Sequence, residues 1–259
     1  TAYGSADANV NFYESDTCSF INSVSEYSVN YGINIYNCSP TIQNSTIDQN
    51  SSYGIYASSS SLAVDNNLIS NNNFGINVSG TTSDPTISDN NFTDNTNYAA
   101  FFSGITYSPF SGNNASGNGI NGFVVSGSVN SNSTWSADIP FVFTSNFTVN
   151  DGYTLTIQQN NIIKSSGAEL IVNGTLDVNG AYGDNVIFTS LKDDSFGGDT
   201  NNDGSASTPA SGDWRGIHCY GYSSNDGGGQ FDYCRIRYGG ETAYGSADAN
   251  VNFYESDTC

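Results

Sequence analysis

The chain has 259 residues, with 5 Lys plus Arg against 25 Asp plus Glu, a formal charge of −20. That balance excludes a nucleic-acid binder, which needs basic surface to displace counterions from phosphates, and it opposes docking on anionic lipid. Apolar runs such as 98–102 and 139–143 fall far short of the ~20 residues of a spanning helix, which excludes membrane insertion by helices.

Leu, Ile, Val and Phe together make up roughly a fifth of the chain, near the line below which a highly charged chain stays disordered. Periodicity decides the matter in favour of folding. The chain opens at Thr1 with no leader pattern, as expected of a processed chain or a fragment. Thr1–Cys18 reads TAYGSADANVNFYESDTC, and Thr242–Cys259 repeats it at 18 of 18 positions, offset by 241. Two explanations remain open at this stage. Either near-identical 241-residue units stand in a tandem array, or the second copy replaces or pairs with the first. On either view, residues 1–241 form one unit and 242–259 begin the next.

A finer period runs inside the unit. Gly32-Ile33-Asn34-Ile35, Gly54-Ile55-Tyr56-Ala57 and Gly75-Ile76-Asn77-Val78 recur at spacings of 22 and 21. Ile42, Val64 and Ile87 form a second series, and Ile47, Ile69 and Phe92 a third. Alternation of apolar and polar residues predicts strands with one buried face, and the Asn, Ser and Gly clusters between them predict turns. One such rung cannot bury its own apolar face, whereas stacking the same positions of successive rungs builds a continuous core. The recurring Asn side chains are expected to stack along the axis. From 141 to 190 the alternation continues in pairs: Phe147 and Val149, Leu155 and Ile157, Leu170 and Val172, Leu176 and Val178, Val186 and Phe188. The expected fold is all-β, a right-handed parallel β-helix with three short strands per turn. At this period a unit makes about ten coils, or ~50 Å of axis.

Residues 147–240 carry a more specific string: Thr148-Val-Asn-Asp-Gly-Tyr-Thr-Leu-Thr-Ile157, Val172-Asn-Gly-Thr-Leu176, Val186-Ile-Phe-Thr-Ser190, Gly198-Asp-Thr-Asn-Asn-Asp-Gly204, Gly212-Asp-Trp-Arg-Gly-Ile217 and Cys234-Arg-Ile-Arg-Tyr-Gly-Gly240. This stretch resembles large secreted right-handed parallel β-helix repeat proteins of bacterial and archaeal cell surfaces. Residues 30–104 resemble more generic β-helix repeats. The resemblance implies the fold and an extracellular or cell-surface setting, and no single activity. Gln158–Asn161 stands where a tighter Pro/Gly turn is expected.

An acidic insertion at 193–213 holds the strongest local motif. Asp199, Asn201 and Asp203 place side-chain oxygens at positions 1, 3 and 5, Gly204 follows at 6, and Ser205 offers its carbonyl at 7. That spacing wraps Ca²⁺ in an EF-hand-type loop. Ala210 occupies position 12, where a bidentate acid is needed, so Asp193, Asp194 or Asp213 is expected to supply the missing carboxylate. The competing reading is an acidic excursion without an ion.

Each unit carries four cysteines, Cys18, Cys38, Cys219 and Cys234, with Cys259 the copy of Cys18. An even count outside the cytosol points to disulfides. The expected pairs are Cys18–Cys38, near one coil apart, and Cys219–Cys234. Cys234–Cys259 and free buried thiols are the alternatives. Nine Asn-x-Ser/Thr sequons occur, at Asn37, Asn44, Asn50, Asn77, Asn91, Asn114, Asn132, Asn146 and Asn173. Their number matches chance for so much Asn, Ser and Thr, so they are candidate glycan acceptors only where exposed.

Catalysis finds little support. The basic residues are Lys164, Lys192, Arg215, Arg235 and Arg237, and His218 is the one histidine. No paired carboxylates with the separation a glycosidase needs stand out. The sequence therefore predicts a non-enzymatic extracellular structural protein, with copies of itself as head-to-tail partners in a surface fibre. The alternatives are an adhesin or rod that binds surface glycans and, less favoured, a polysaccharide lyase or hydrolase. The −20 charge would keep rods apart, with Ca²⁺ able to bridge them.

Overall fold

The computed structural model describes residues 7–15, 17–80, 83–106, 109–221, 227–240 and 249–254. All regular elements among them are strands, every strand pair is parallel, and the chain makes about 8 turns of β-solenoid. Contacts divide the chain into two compact units, 1–123 and 124–259.

The first unit has three strands per turn. One ladder stacks Ala8–Tyr13, Tyr31–Tyr36, Tyr53–Ser58, Phe74–Ser79 and Tyr98–Ser103, so that Val10, Ile33, Ile55, Ile76 and Ala100 form one column. A second carries Phe20, Ile42, Val64 and Ile87 in register, and a third carries Ser25, Ile47, Ile69, Phe92 and Ala115. The central members of these columns are fully buried. Each coil covers the apolar residues of the one below, which is how so few suffice.

The corners are built from a left-handed residue followed by a buried Asn. Gln49, Asn71 and Asp94 sit at φ 54°, 53° and 55°, ahead of Asn50, Asn72 and Asn95. Asn72 Nδ2 donates to Asn95 Oδ1 at 3.0 Å and to the Ile47 carbonyl at 3.1 Å. Its own Oδ1 accepts from Asn50 N at 3.0 Å. A parallel ladder runs through Asn67, Asn90 and Asn113. The recurring Gly of the sequence follows from this packing. A Cβ at Gly54 would stand 2.8 Å from the Gly75 carbonyl and 2.9 Å from Asn72 Nδ2.

The second unit repeats the plan with longer apolar residues. Phe141–Phe143, Ile162–Ser165, Val186–Ser190 and Cys234–Ile236 form one ladder. Ser133–Trp135, Thr154–Gln158, Thr175–Asn179 and Gly228–Asp232 form another. The third stacks Phe147–Val149, Glu169–Val172, Gly216–Tyr220 and Val251–Tyr254. The turn count falls below the ten expected from the 22-residue period. Residues 191–215 leave the solenoid between Val186–Ser190 and Gly216–Tyr220, and so consume about a coil of chain without adding a rung.

Candidate functional site

The excursion 191–215 is held down by ionic anchors at its base. Asp193 is buried and accepts from Thr189 Oγ1 at 2.6 Å and from Arg237 Nη1 at 2.9 Å. Burial pulls its carboxyl upward, but bonds from Ser195 and Thr189 and the Arg237 charge outweigh this and hold it below the ordinary range. Asp213 accepts from Lys192 Nζ at 2.8 Å and Ser190 Oγ at 2.7 Å, and against burial these bonds also hold it low. Both residues, candidates in the sequence for the missing carboxylate, tie the loop to the solenoid.

Asp194, Asp199 and Asp203 converge, with one carboxylate oxygen from each within 4.8 Å of the others. Asp199 braces the turn by accepting from Asp203 N at 2.9 Å and Gly204 N at 2.8 Å. Asp203 accepts from Asn201 Nδ2 at 2.8 Å and from Ser207 Oγ. Asn201 thereby spends its donor, and its Oδ1 is left buried with no hydrogen-bond partner, as is Asp194 Oδ1. Burial first, and the neighbouring Asp199 carboxylate next, push the Asp194 carboxyl upward. Three carboxylates, one of them with an oxygen that lacks a hydrogen-bond partner, are a donor set of the kind that suits a hard cation such as Ca²⁺. Ser205, whose backbone carbonyl is the expected ligand at position 7, is exposed. Of the residues expected from the sequence to hold a cation, the structure brings together Asp194, Asp199 and Asp203, with Asn201 bonded to Asp203.

Sequence reasoning missed the cation beneath. Lys164 is fully buried, and its Nζ donates to the carbonyls of Asp193 and Gly198, both at 2.9 Å. Burial lowers its pKa to about 8, against the pull of Asp194, Asp193 and Asp199. It supplies part of the charge that the loop needs. No spacing pointed to it, because its partners lie 29 and 34 residues downstream.

The cysteines divide. Cys18 lies within hydrogen-bonding reach of Cys38, and both are free thiols. Burial, then the Cys18 neighbour, pushes the Cys38 thiol up. Cys219 lies in the core between Val172 and Phe253, whereas Cys234 pairs in register with Val186 on another ladder. Cys259 lies outside the described residues. Of the sequons, Asn37, Asn44, Asn91, Asn114, Asn132 and Asn146 are exposed, and Asn77 and Asn173 are half-buried. Asn50 is 1% exposed and committed to the internal ladder, which removes it as a glycan acceptor.

His218 lies on the outer face of Gly216–Tyr220, beside Glu169. Nδ1 is 2.9 Å from Glu169 Oε1, and Tyr220 Oη donates to the same oxygen at 3.2 Å. The His218 bond, more than burial, holds the Glu169 carboxyl below its usual range. His218 Nε2 lies 3.1 Å from the Arg215 carbonyl and 3.1 Å from Asn252 Nδ2. Its ring is thus bonded on both nitrogens, as a structural histidine would be.

Each copy of the 18-residue repeat holds a strand among its described residues, Ala8–Tyr13 in the first and Val251–Tyr254 in the second. Val10 and Phe12 stack on Ile33 and Ile35, and Val251 and Phe253 stack on Ile217 and Cys219. Among the described residues, each of these strands is paired along one edge only. Residues 8–139 match the family model described as "Right handed beta helix region", and residues 127–255 match "Pectate-lyase like beta helix domain". No curated protein and no solved structure matches the chain.

Proposed function

The chain belongs to the right-handed β-helix family, and on that footing we propose that it is a structural element of an extracellular fibre, built by end-to-end stacking of β-helix units. One observation carries this reading. The same sequence, VNFY, lies in an edge strand within Ala8–Tyr13 and again at Val251–Tyr254, and in both places its Val and Phe stand in register with core residues, Phe253 keeping 40% of its surface exposed on the outermost described rung. An uncovered rung exposes strand edges and apolar surface, and contact with another copy hides both. Ca²⁺ at Asp194, Asp199, Asn201 and Asp203 is a structural part of the proposal, stiffening the excursion.

The test is sedimentation and electron microscopy of the purified chain over a concentration series. Rods that lengthen with concentration support stacking. A species that stays a monomer at all concentrations overturns it for separate chains. A denaturing gel of native material then separates one long covalent array from a polymer of single units.

A second reading, a glycan-binding rod, draws on one feature. An open groove of about 730 Å³ runs along the corners of the first unit, lined by Tyr27, Gln49, Ser51, Asn71, Asn73 and Thr96. Amides, hydroxyls and one exposed Tyr ring suit sugar hydroxyls and a sugar face. Retention on immobilised polysaccharide, lost in Tyr27→Ala, would favour it. The lyase-like name of the second family model describes that family. A polyuronate assay of the chain is the corresponding check.

A further inference from the structure

We propose that the seat on Gly216–Tyr220 is an exchange site. The first strand, Ala8–Tyr13, of a second copy takes the place of the resident Val251–Tyr254, which acts as a replaceable cap. This deepens the stacking reading above and rests on it.

The two copies of the repeat use opposite edges of the same strand. Over Gly216–Tyr220, the carbonyls of Asn250 and Tyr254 accept from Ile217 N at 2.9 Å and Gly221 N at 2.8 Å. Their equivalents in the first copy are Asn9 and Tyr13. There, Glu14 N donates to Tyr36 O at 3.0 Å, so the Tyr13 carbonyl, on the opposite side of the same trans peptide, faces away from Tyr31–Tyr36. Alternate residues of a strand present their backbone groups to opposite edges. Within the strand, therefore, the edge facing Gly216–Tyr220 in one copy is not the edge that pairs with Tyr31–Tyr36 in the other.

The side chains divide in the same way. Asn252 Nδ2 is directed to His218 Nε2 at 3.1 Å, whereas its equivalent Asn11 uses Oδ1 to accept from Asn34 Nδ2 at 2.9 Å. One amide can make both bonds at once, donor to one side and acceptor to the other. Tyr254 stacks on Tyr220 with ring centroids 5.1 Å apart, and its equivalent Tyr13 stacks on Tyr36 at 5.0 Å. A ring has two faces and can make both contacts. In the core, Val would lie between Ile217 and Ile33, and Phe between Cys219 and Ile35. The two described contacts are thus complementary halves of one junction.

The seat is also shaped for this strand. A Cβ at Gly216 would stand 2.8 Å from the carbonyls of both Ala249 and Asn250. Asn250 locks in by accepting from Gly239 N at 2.8 Å and donating to Ile236 O at 3.0 Å. The incoming residues are identical to the resident ones, and on exchange Asn9, whose Nδ2 donates to the Glu26 carbonyl at 2.7 Å in its own unit, has to turn that amide to the Ile236 carbonyl. The resident strand keeps the advantage of its tether, and the incomer gains only at high concentration.

The experiment uses the full chain and a fluorescent synthetic peptide of residues 5–15, followed by anisotropy. The double variant Val251→Asp/Phe253→Asp weakens the resident strand and leaves the first strand intact. It is expected to bind the peptide at least tenfold more tightly than the parent and to polymerise at lower concentration. Val10→Asp/Phe12→Asp is expected to bind peptide like the parent and to stop polymerising. Asn252→Ala, a milder change, should give an intermediate gain. This variant keeps the test valid if the double variant does not fold, a point decided by its circular dichroism. If the weakened chains bind peptide no better than the parent while the parent still forms rods, exchange is overturned and simple stacking stands. If the parent stays a monomer and no chain binds peptide, both proposals fall.

Discussion

Asn72 has no exposed surface, yet its amide bonds Asn95, Asn50 and the Ile47 carbonyl, so its polar groups are all satisfied along the axis. Removing it orphans the Asn50 amide and the Ile47 carbonyl in the interior. Asn72→Ala is therefore expected to cost about 1–3 kcal/mol in denaturant unfolding, whereas Ser39→Ala, at an exposed position, should stay within about 0.5 kcal/mol. Ile55→Asp places a charge between Ile33 and Ile76 and should cost several kcal/mol, while the outward Asn77→Asp should cost little. Equal effects would refute the assigned alternation. Lys164 offers a pH signature. Its folded pKa is about 8 against an unfolded value near 10.5, so between these values the unfolded chain holds the extra proton. Stability from this group should rise as pH goes from about 8 to 10.5, and the rise should vanish in Lys164→Met. A parent melting temperature that is flat in this window would refute the assignment.

At the scale of elements, the excursion 191–215 is anchored by Asp193–Arg237 and Asp213–Lys192 and carries the acidic cluster at its outer part. Removing Ca²⁺ is expected to speed amide exchange of residues 194–207 and to leave the core strands protected. Equilibrium dialysis that retains no Ca²⁺ at millimolar concentration would remove the ion from the proposal. The sequence made the oxygen spacing of Asp199, Asn201 and Asp203 visible because it is local. It did not reveal that Asp194, and not Asp193 or Asp213, completes the cluster. That choice depends on Arg237, 44 residues from Asp193, and on Lys192 reaching back over the loop. Likewise, the spacing of Cys18 and Cys38 indicated neighbours on adjacent coils. The spacing of Cys219 and Cys234 did not reveal that the two lie on different ladders. Mild oxidation should join Cys18 to Cys38 and raise protection of Tyr31–Tyr36. Peptide mapping that finds both thiols free after oxidation would refute this pairing.

At the scale of the whole molecule, several carboxylates are held below their usual range, among them Glu169, Asp193, Asp213, Asp48 and Asp65. A depressed folded pKa contributes stability above the unfolded value, and that contribution is lost as pH falls through the folded one. The melting temperature is therefore expected to drop below about pH 4, and a constant value down to pH 2 would contradict these assignments. The sequence by itself determined the class of fold. The 22-residue period, the Val, Ile and Phe columns and the duplicated 18 residues are all regularities along the chain, and stacking converts them directly into neighbours. Only the tertiary structure decided what non-repeating residues do. The Lys164 ammonium beneath the loop, the Glu169–His218 pair, the burial of Asn50 and the opposite edges of the ANVNFY strand each depend on which groups meet across coils. Those meetings follow from where corners and insertions fall, and no period in the sequence encodes them.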